Sequence, residues 1–148
     1  MKFLKKHGIL IETPFLRVTI LKTLRRLAMA INESAENYLE TILMLSKKLP
    51  VVRSIDIANE LGFKKSSVSI AMKHLRENNH IIVSDSGFIS LTESGKQIAE
   101  MIFERHEIIS SWLISMGVSK ETALEDACKM EHVISRESFE AMKKFIKK

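Results

Sequence analysis

Between Ser54 and Leu91 the chain reads as helix, glycine turn, helix and hairpin, and few folds accept that order. Ser54 to Leu61 places Ile55, Ile57, Ala58 and Leu61 at helical spacing. Ser54 is a candidate N-cap, and Gly62 falls just past the last turn, where a left-handed residue is favoured. After Phe63-Lys64-Lys65, the stretch from Ser66 to Asn78 predicts a second helix on Val68, Ile70, Ala71 and Leu75. The β-formers Ile81-Ile82-Val83 and Phe88-Ile89-Ser90-Leu91 flank the polar turn Ser84-Asp85-Ser86-Gly87, which predicts a hairpin. A helix-turn-helix followed by a hairpin is a winged helix. The expected fold is mainly α: a winged helix-turn-helix with a small β-hairpin wing, then an all-helical module.

Helices are predicted on both sides of this unit. Ser34 to Lys48 carries Tyr38, Leu39, Ile42 and Leu43 on one face, with Ser34 as its cap, Glu36 near the positive end of the helix dipole and Pro50 as a stop. Thr92 caps a long helix reaching about Met116, closed by Gly117. Ser119 and Ser135 cap two more. The expected division is a basic leader over residues 1–32, a DNA-binding-type module over 33–92 and a helical module over 93–148, joined near Thr92 by a helix start rather than a flexible linker.

Charge is unevenly spread, so the net +5 is a poor guide to partners. Residues 1–28 hold seven Lys/Arg and one acid, Glu12, and carry +6; the other 120 residues hold 16 Lys/Arg and 17 Asp/Glu and carry −1. A nucleic-acid reading must rest on a local patch. The leader has charges interrupting its apolar stretch, short of the roughly 18 uninterrupted apolar residues of a membrane span. Pro14 bars a helix running through it, Phe15 to Ala30 is compatible with a basic amphipathic helix, and Met29 is an alternative start that would make residues 1–28 non-native. A single cysteine excludes an internal disulfide and suits a reducing cytoplasm.

Two clusters carry chemistry. Lys64, Lys65, Ser66, Ser67, Ser69, Lys73 and Arg76 lie at and along the start of the second motif helix, with no acid among residues 64–76. Lys and Arg suit phosphates, and small hydroxyls permit close approach to base edges; the plainer alternative is a solvated, capped helix start. The second cluster is Cys128, Glu131 and His132, which on a helix share one face at i, i+3 and i+4. Thiolate, carboxylate and imidazole are ligands for divalent transition metals. His106 on the preceding long helix, and Glu40 with Asn37 on the first, are placed to join them. The alternatives are a small buried hydrophobe for Cys128 and solvated polar faces for the others.

Taken in order, Ser34-Ala-Glu-Asn-Tyr-Leu-Glu-Thr-Ile42, Ile55-Asp-Ile-Ala-Asn-Glu-Leu61, Ser67-Val-Ser69, Leu91-Thr-Glu-Ser-Gly95, Glu104-Arg-His106 and Asp126-Ala-Cys-Lys-Met-Glu-His-Val133 resemble the diphtheria-toxin-repressor family of iron- and manganese-dependent transcriptional repressors, over about residues 33–146. The resemblance implies a winged helix followed by a helical dimerisation domain, a homodimer on a double-stranded operator, and repression of metal-uptake genes by Fe²⁺ or Mn²⁺. The length resembles the short manganese-regulator form without an SH3-like domain. The resemblance carries ligand roles onto His106, Cys128, Glu131 and His132, onto Glu40 as in the manganese regulators, and puts Asn37 where the family has Asp or Met. Cys128 stands as in the iron regulators, where manganese regulators have Glu. The iron regulators' additional site is not expected, because Ser110 and Leu124 replace its side chains.

A thiolate in the set tips the expected metal towards Fe²⁺, and Cys128→Ala is expected to abolish metal-stimulated DNA binding. The competing readings are a winged-helix regulator that needs no metal, a non-DNA interaction module, and a metalloenzyme. The last is disfavoured because the chain has no phosphate loop, no H-E-x-x-H and no organised triad. The chain is therefore not expected to be an enzyme.

Overall fold

The computed structural model describes residues 14–146, with the side chains of 14–18 and 25–31 outside that description. Residues 1–13 of the leader, and most of the amphipathic face expected on Phe15 to Ala30, therefore lie outside the described residues. Met1–Asn32 and Glu33–Lys148 form separate compact units. In the first, residues 14–32 are helical, and the side chains of Ile20, Leu21 and Leu24 are exposed.

The elements are α1 (Pro14–Lys48), α2 (Ser54–Leu61), α3 (Lys65–Glu77), β1 (Ile81–Val83), β2 (Ile89–Leu91), α4 (Glu93–Ser115), α5 (Lys120–Met130) and α6 (Arg136–Ile146). The mainly α winged-helix architecture expected from the sequence is observed. Pro14 begins α1, a position whose missing N–H is harmless. Ser34 is not a cap, because α1 runs through it; no glycine or proline interrupts residues 15–48, and the exposed Ser34 hydroxyl faces water. Nor does Ser54 cap α2. Arg53 occupies the N-cap, and its N–H donates to Asp56 Oδ2 at 2.8 Å. Gly62 ends α2 at φ 66°, which a side chain would strain.

One core joins α1 to the winged helix. Leu39, Ile42, Ile57, Val68 and Ile81 are at most 2% exposed. Each such side chain contributes about 1.5–3 kcal/mol on burial. Val68, Met72 and Leu75, at i, i+4 and i+7, give α3 its buried stripe and leave its other face to solvent. The wing is antiparallel in the register Ile81↔Leu91, Ile82↔Ser90 and Val83↔Ile89, and Ile89 N–H also donates to Val52 O at 2.8 Å.

The join to α4 is tight. Thr92 caps α4 by accepting from Gly95 N–H at 3.1 Å, while its hydroxyl donates to Asn79 O at 2.7 Å. Thr92 N–H donates to His80 O at 3.0 Å. A Cβ on Gly95 would sit 2.0 Å from that same His80 oxygen. The start of α4 is thereby fastened to the turn that ends α3. Among the described residues no helix is long and apolar enough to cross a membrane.

Candidate metal centre and nucleic-acid interface

The metal-ligating types converge at the meeting of α1, α4 and the end of α5. Glu36 and Glu40, at i and i+4, share a face of α1. His106 lies midway along α4. The helix α5 stops at Met130, and Glu131 follows as its C-cap, still in helical conformation at φ −58°, ψ −32°. Buried Arg105 holds this end by donating from Nη1 to Glu131 O at 2.9 Å and Ile134 O at 3.3 Å. It thus satisfies the Glu131 carbonyl at the helix terminus, which has no intrahelical partner, and the Ile134 carbonyl in the turn beyond. His132 sits in the turn beyond.

Glu131 is fully buried and lies between two histidines. His106 Nδ1 is 2.8 Å from its Oε2. Its Oε1 has no hydrogen-bond partner; His132 Nε2 approaches to 3.3 Å without hydrogen-bond alignment. His132 Nδ1 is instead paired with Glu36 Oε2 at 2.9 Å. Glu40 is 9% exposed, and its carboxyl is pushed up to about 7, by burial first and then by the charge of Glu131, with His106 and His132 opposing. The hydrogen bond to Glu131 raises His106. Burial alone would lower His132, but Glu36 and the neighbouring acids outweigh it and the net shift is upward.

Glu40, His106 and Glu131 each offer a ligand atom within 4.8 Å of the other two. Two desolvated carboxylates beside imidazoles, one oxygen unpaired, are short of positive charge, and a divalent cation supplies it. An O/O/N donor set suits such an ion. His132 adjoins this trio through Glu131. Cys128, by contrast, is exposed and outside the trio. Its thiol is pushed up by partial burial and by the charges of Glu131, Glu40 and Glu33, which disfavours the thiolate a metal needs. Glu131, still helical as the C-cap, keeps its i, i+3 relation to Cys128, whereas His132 lies in the turn beyond, so the i, i+4 relation drawn for Cys128 and His132 is not formed. Asn37 is half-buried, and its carbonyl accepts from Thr41 Oγ1 at 2.8 Å. Ser110 is buried and Leu124 exposed.

Two side chains of this site go beyond the sequence expectation. Glu36, expected only as a charge near the helix dipole, shares a face with Glu40 through their i, i+4 spacing. No local pattern in the sequence signals Arg105 as a buried arginine that holds the end of another helix.

On the other module, Lys64, Lys65, Ser66, Ser67, Ser69 and Lys73 are all exposed at or along α3. Lys73 lies 3.9 Å from Glu77. Ser69, Lys73 and Arg76 line a groove of about 360 Å³, closed by Ser54 at the start of α2 and Val83 on the wing. Arg53 stacks over Phe88 beside the wing turn, 4.9 Å from the ring centre. The groove brings cations and hydroxyls together in the chemistry a phosphate takes.

Comparison with known proteins places this chain among regulators. Residues 30–87 match the model of the iron-dependent repressor N-terminal DNA-binding domain, and residues 92–148 match that of the iron-dependent repressor metal-binding and dimerisation domain. A helix-turn-helix-type transcriptional regulator of Methanocaldococcus jannaschii is 33% identical over 119 residues, covering 79% of this chain and 95% of the relative. The transcriptional regulator MntR of Escherichia coli is 33% identical over 116 residues, covering 78% and 75%. In fold, the chain is similar to the manganese regulator SloR, with a TM-score of 0.69 at 24% identity over 76% of this chain. It is also similar to IdeR of T. acidophilum, with a TM-score of 0.68 at 24% identity over 76% of this chain. It spans about half the length of each of these two structures, 53% and 54%.

Proposed function

The chain belongs to the iron-dependent repressor family, and from that premise we propose that Glu40, His106 and Glu131, joined by His132, bind the divalent cation that controls its grip on DNA. It is a metal-responsive, DNA-binding, dimeric regulator rather than an enzyme.

The unpaired, fully buried Glu131 Oε1 beside a Glu40 carboxyl held near 7 carries the ligand assignment. The cation neutralises this cluster when bound. Glu40 belongs to α1, which shares its core with α2 and α3, whereas His106 and Glu131 belong to the helical module. Drawing these side chains together therefore favours one placement of α3 relative to the helical module. In a dimer, that selects the spacing of two α3 helices over two half-sites. Metal and DNA affinity then rise together by linkage.

With the thiol outside the trio, carboxylate and imidazole donors favour Mn²⁺ over the Fe²⁺ that Cys128 suggested. Lys64, Lys65, Ser66, Ser67, Ser69 and Lys73 meet DNA along exposed α3, with Arg76 and Ser54 on phosphate. The regulator acts in the cytoplasm, repressing genes for uptake of the metal it binds. The test is binding to duplexes selected by the protein from a random pool, with chelator and then with Mn²⁺, Fe²⁺ or Zn²⁺. Tighter binding with Mn²⁺ than with chelator is expected; equal affinity under both conditions overturns the metal switch.

A further inference from the structure

Glu36 has no place in the ligand trio, yet it makes the most direct contact with His132. Its carboxylate Oε2 lies 2.9 Å from His132 Nδ1, and the two residues are 96 positions apart in sequence. The imidazole side chain is 4% exposed and that of Glu36 21%. A carboxylate is only an acceptor, so the nitrogen facing it carries the proton. That leaves Nε2 as the nitrogen nearest Glu131 Oε1, 3.3 Å away, a fully buried oxygen without a hydrogen-bond partner.

We propose that Glu36 is a positioning residue: by holding the Nδ1 proton of His132, it fixes the ring so that the Nε2 lone pair is presented beside Glu131 to an incoming cation. The inference rests on the metal reading above. Metal-binding histidines commonly give their second N–H to a carboxylate, and losing that outer partner costs about 10- to 100-fold in metal affinity. Glu36 can do this because it sits one turn before Glu40 on α1, so the same helix that offers a ligand also orients another. Removing it frees the ring to rotate or change tautomer beside Glu131.

Two variants separate positioning from charge. In Glu36→Gln an amide oxygen can still accept from Nδ1–H, whereas Glu36→Ala leaves no acceptor. Mn²⁺ affinity is expected to fall about 10-fold or more in Glu36→Ala and less than about 3-fold in Glu36→Gln. Nitrogen NMR of the metal-free protein is expected to show a protected His132 Nδ1 proton in wild type and Glu36→Gln, and none in Glu36→Ala. Unchanged Mn²⁺ affinity in Glu36→Ala overturns the inference, as does an equal loss in both variants, which would make Glu36 a ligand or a bare charge. A wild-type chain that binds no Mn²⁺ overturns the metal reading itself, a result distinct from either.

Discussion

Glu131 is fully buried with one oxygen unpaired, whereas the polar residues from Lys64 to Ser67 at the head of α3 stand in solvent. The first arrangement is costly without a cation, because a desolvated carboxylate needs opposite charge nearby. The second costs little at rest and acts only when a polyanion arrives and its counterions are released. One cluster should therefore respond to metal and pH, the other to salt. The Thr92–Gly95 join to the Asn79–His80 turn lies between them and belongs to both.

That join is where the largest effect is expected. Gly95→Ala forces a Cβ to within 2.0 Å of His80 O, a backbone atom that cannot swing aside. Overpacking of this kind costs about 3 kcal/mol or more. Urea denaturation should show the midpoint falling accordingly, and an unchanged midpoint would mean that α4 and the α3 turn are not tightly joined. Next comes Glu131→Gln, which keeps the shape and removes the charge. Mn²⁺ affinity should fall on the order of 100-fold, since outer partners alone are worth 10- to 100-fold. DNA affinity in chelator should stay the same. A change in metal-free DNA binding would break the separation between the two regions.

Lys65→Ala tests the other side. Operator affinity should drop about 5- to 10-fold, and the slope of log affinity against log salt should shrink by about 1, one phosphate contact fewer. Mn²⁺ affinity measured without DNA should be unaffected. A smaller effect comes from pH on the metal-free protein. The folded Glu40 carboxyl lies near 7, above its ordinary 4.5, so its contribution is fully present below the unfolded value and is lost as pH rises through 7. His106 and His132 are also raised and act in the same direction. Stability should fall by about 1 kcal/mol between pH 6 and 8, since one pKa unit corresponds to ~1.4 kcal/mol. Calorimetry checks this, and stability that rises over that interval would contradict the picture of a cation-deficient cluster.

The two regions also differ in how readily the sequence betrays them. The proposed DNA face is local: its cations and hydroxyls lie within residues 64–76, and helical periodicity alone separates them from Val68, Met72 and Leu75. The wing, Gly62 and the caps at Thr92, Ser119 and Ser135 were readable for the same reason, because turn chemistry is short-range. The start of α1 was misplaced because a capping residue such as Ser34 is tolerated inside a helix that nothing else interrupts. The proposed metal cluster is non-local. Glu40 and His106 announced themselves through motif order, but Glu36 and Arg105 act through packing between helices that no spacing encodes.

The smallest expected effect concerns Cys128, the thiol that tips the sequence-based expectation towards iron. Cys128 lies three residues before Glu131, but its thiol is exposed and outside the ligand trio. Partial burial first, and then the neighbouring acids, push the thiol up, which opposes thiolate formation. Cys128→Ser removes the sulfur while keeping a small polar group at an exposed position. Mn²⁺ affinity should change less than about 3-fold, far below the 10- to 100-fold typical of lost metal-site partners. Fe²⁺ affinity is the sharper probe, because a soft donor favours iron over manganese. If Cys128→Ser weakens Fe²⁺ binding 10-fold or more while sparing Mn²⁺, the thiol turns inward for iron and the site reads two metals with two donor sets. If both metals are spared, the buried Glu40–His106–Glu131 trio and the adjoining His132 carry the sensing alone, and the exposed residues of α5 belong with α3 on the solvent side of the comparison.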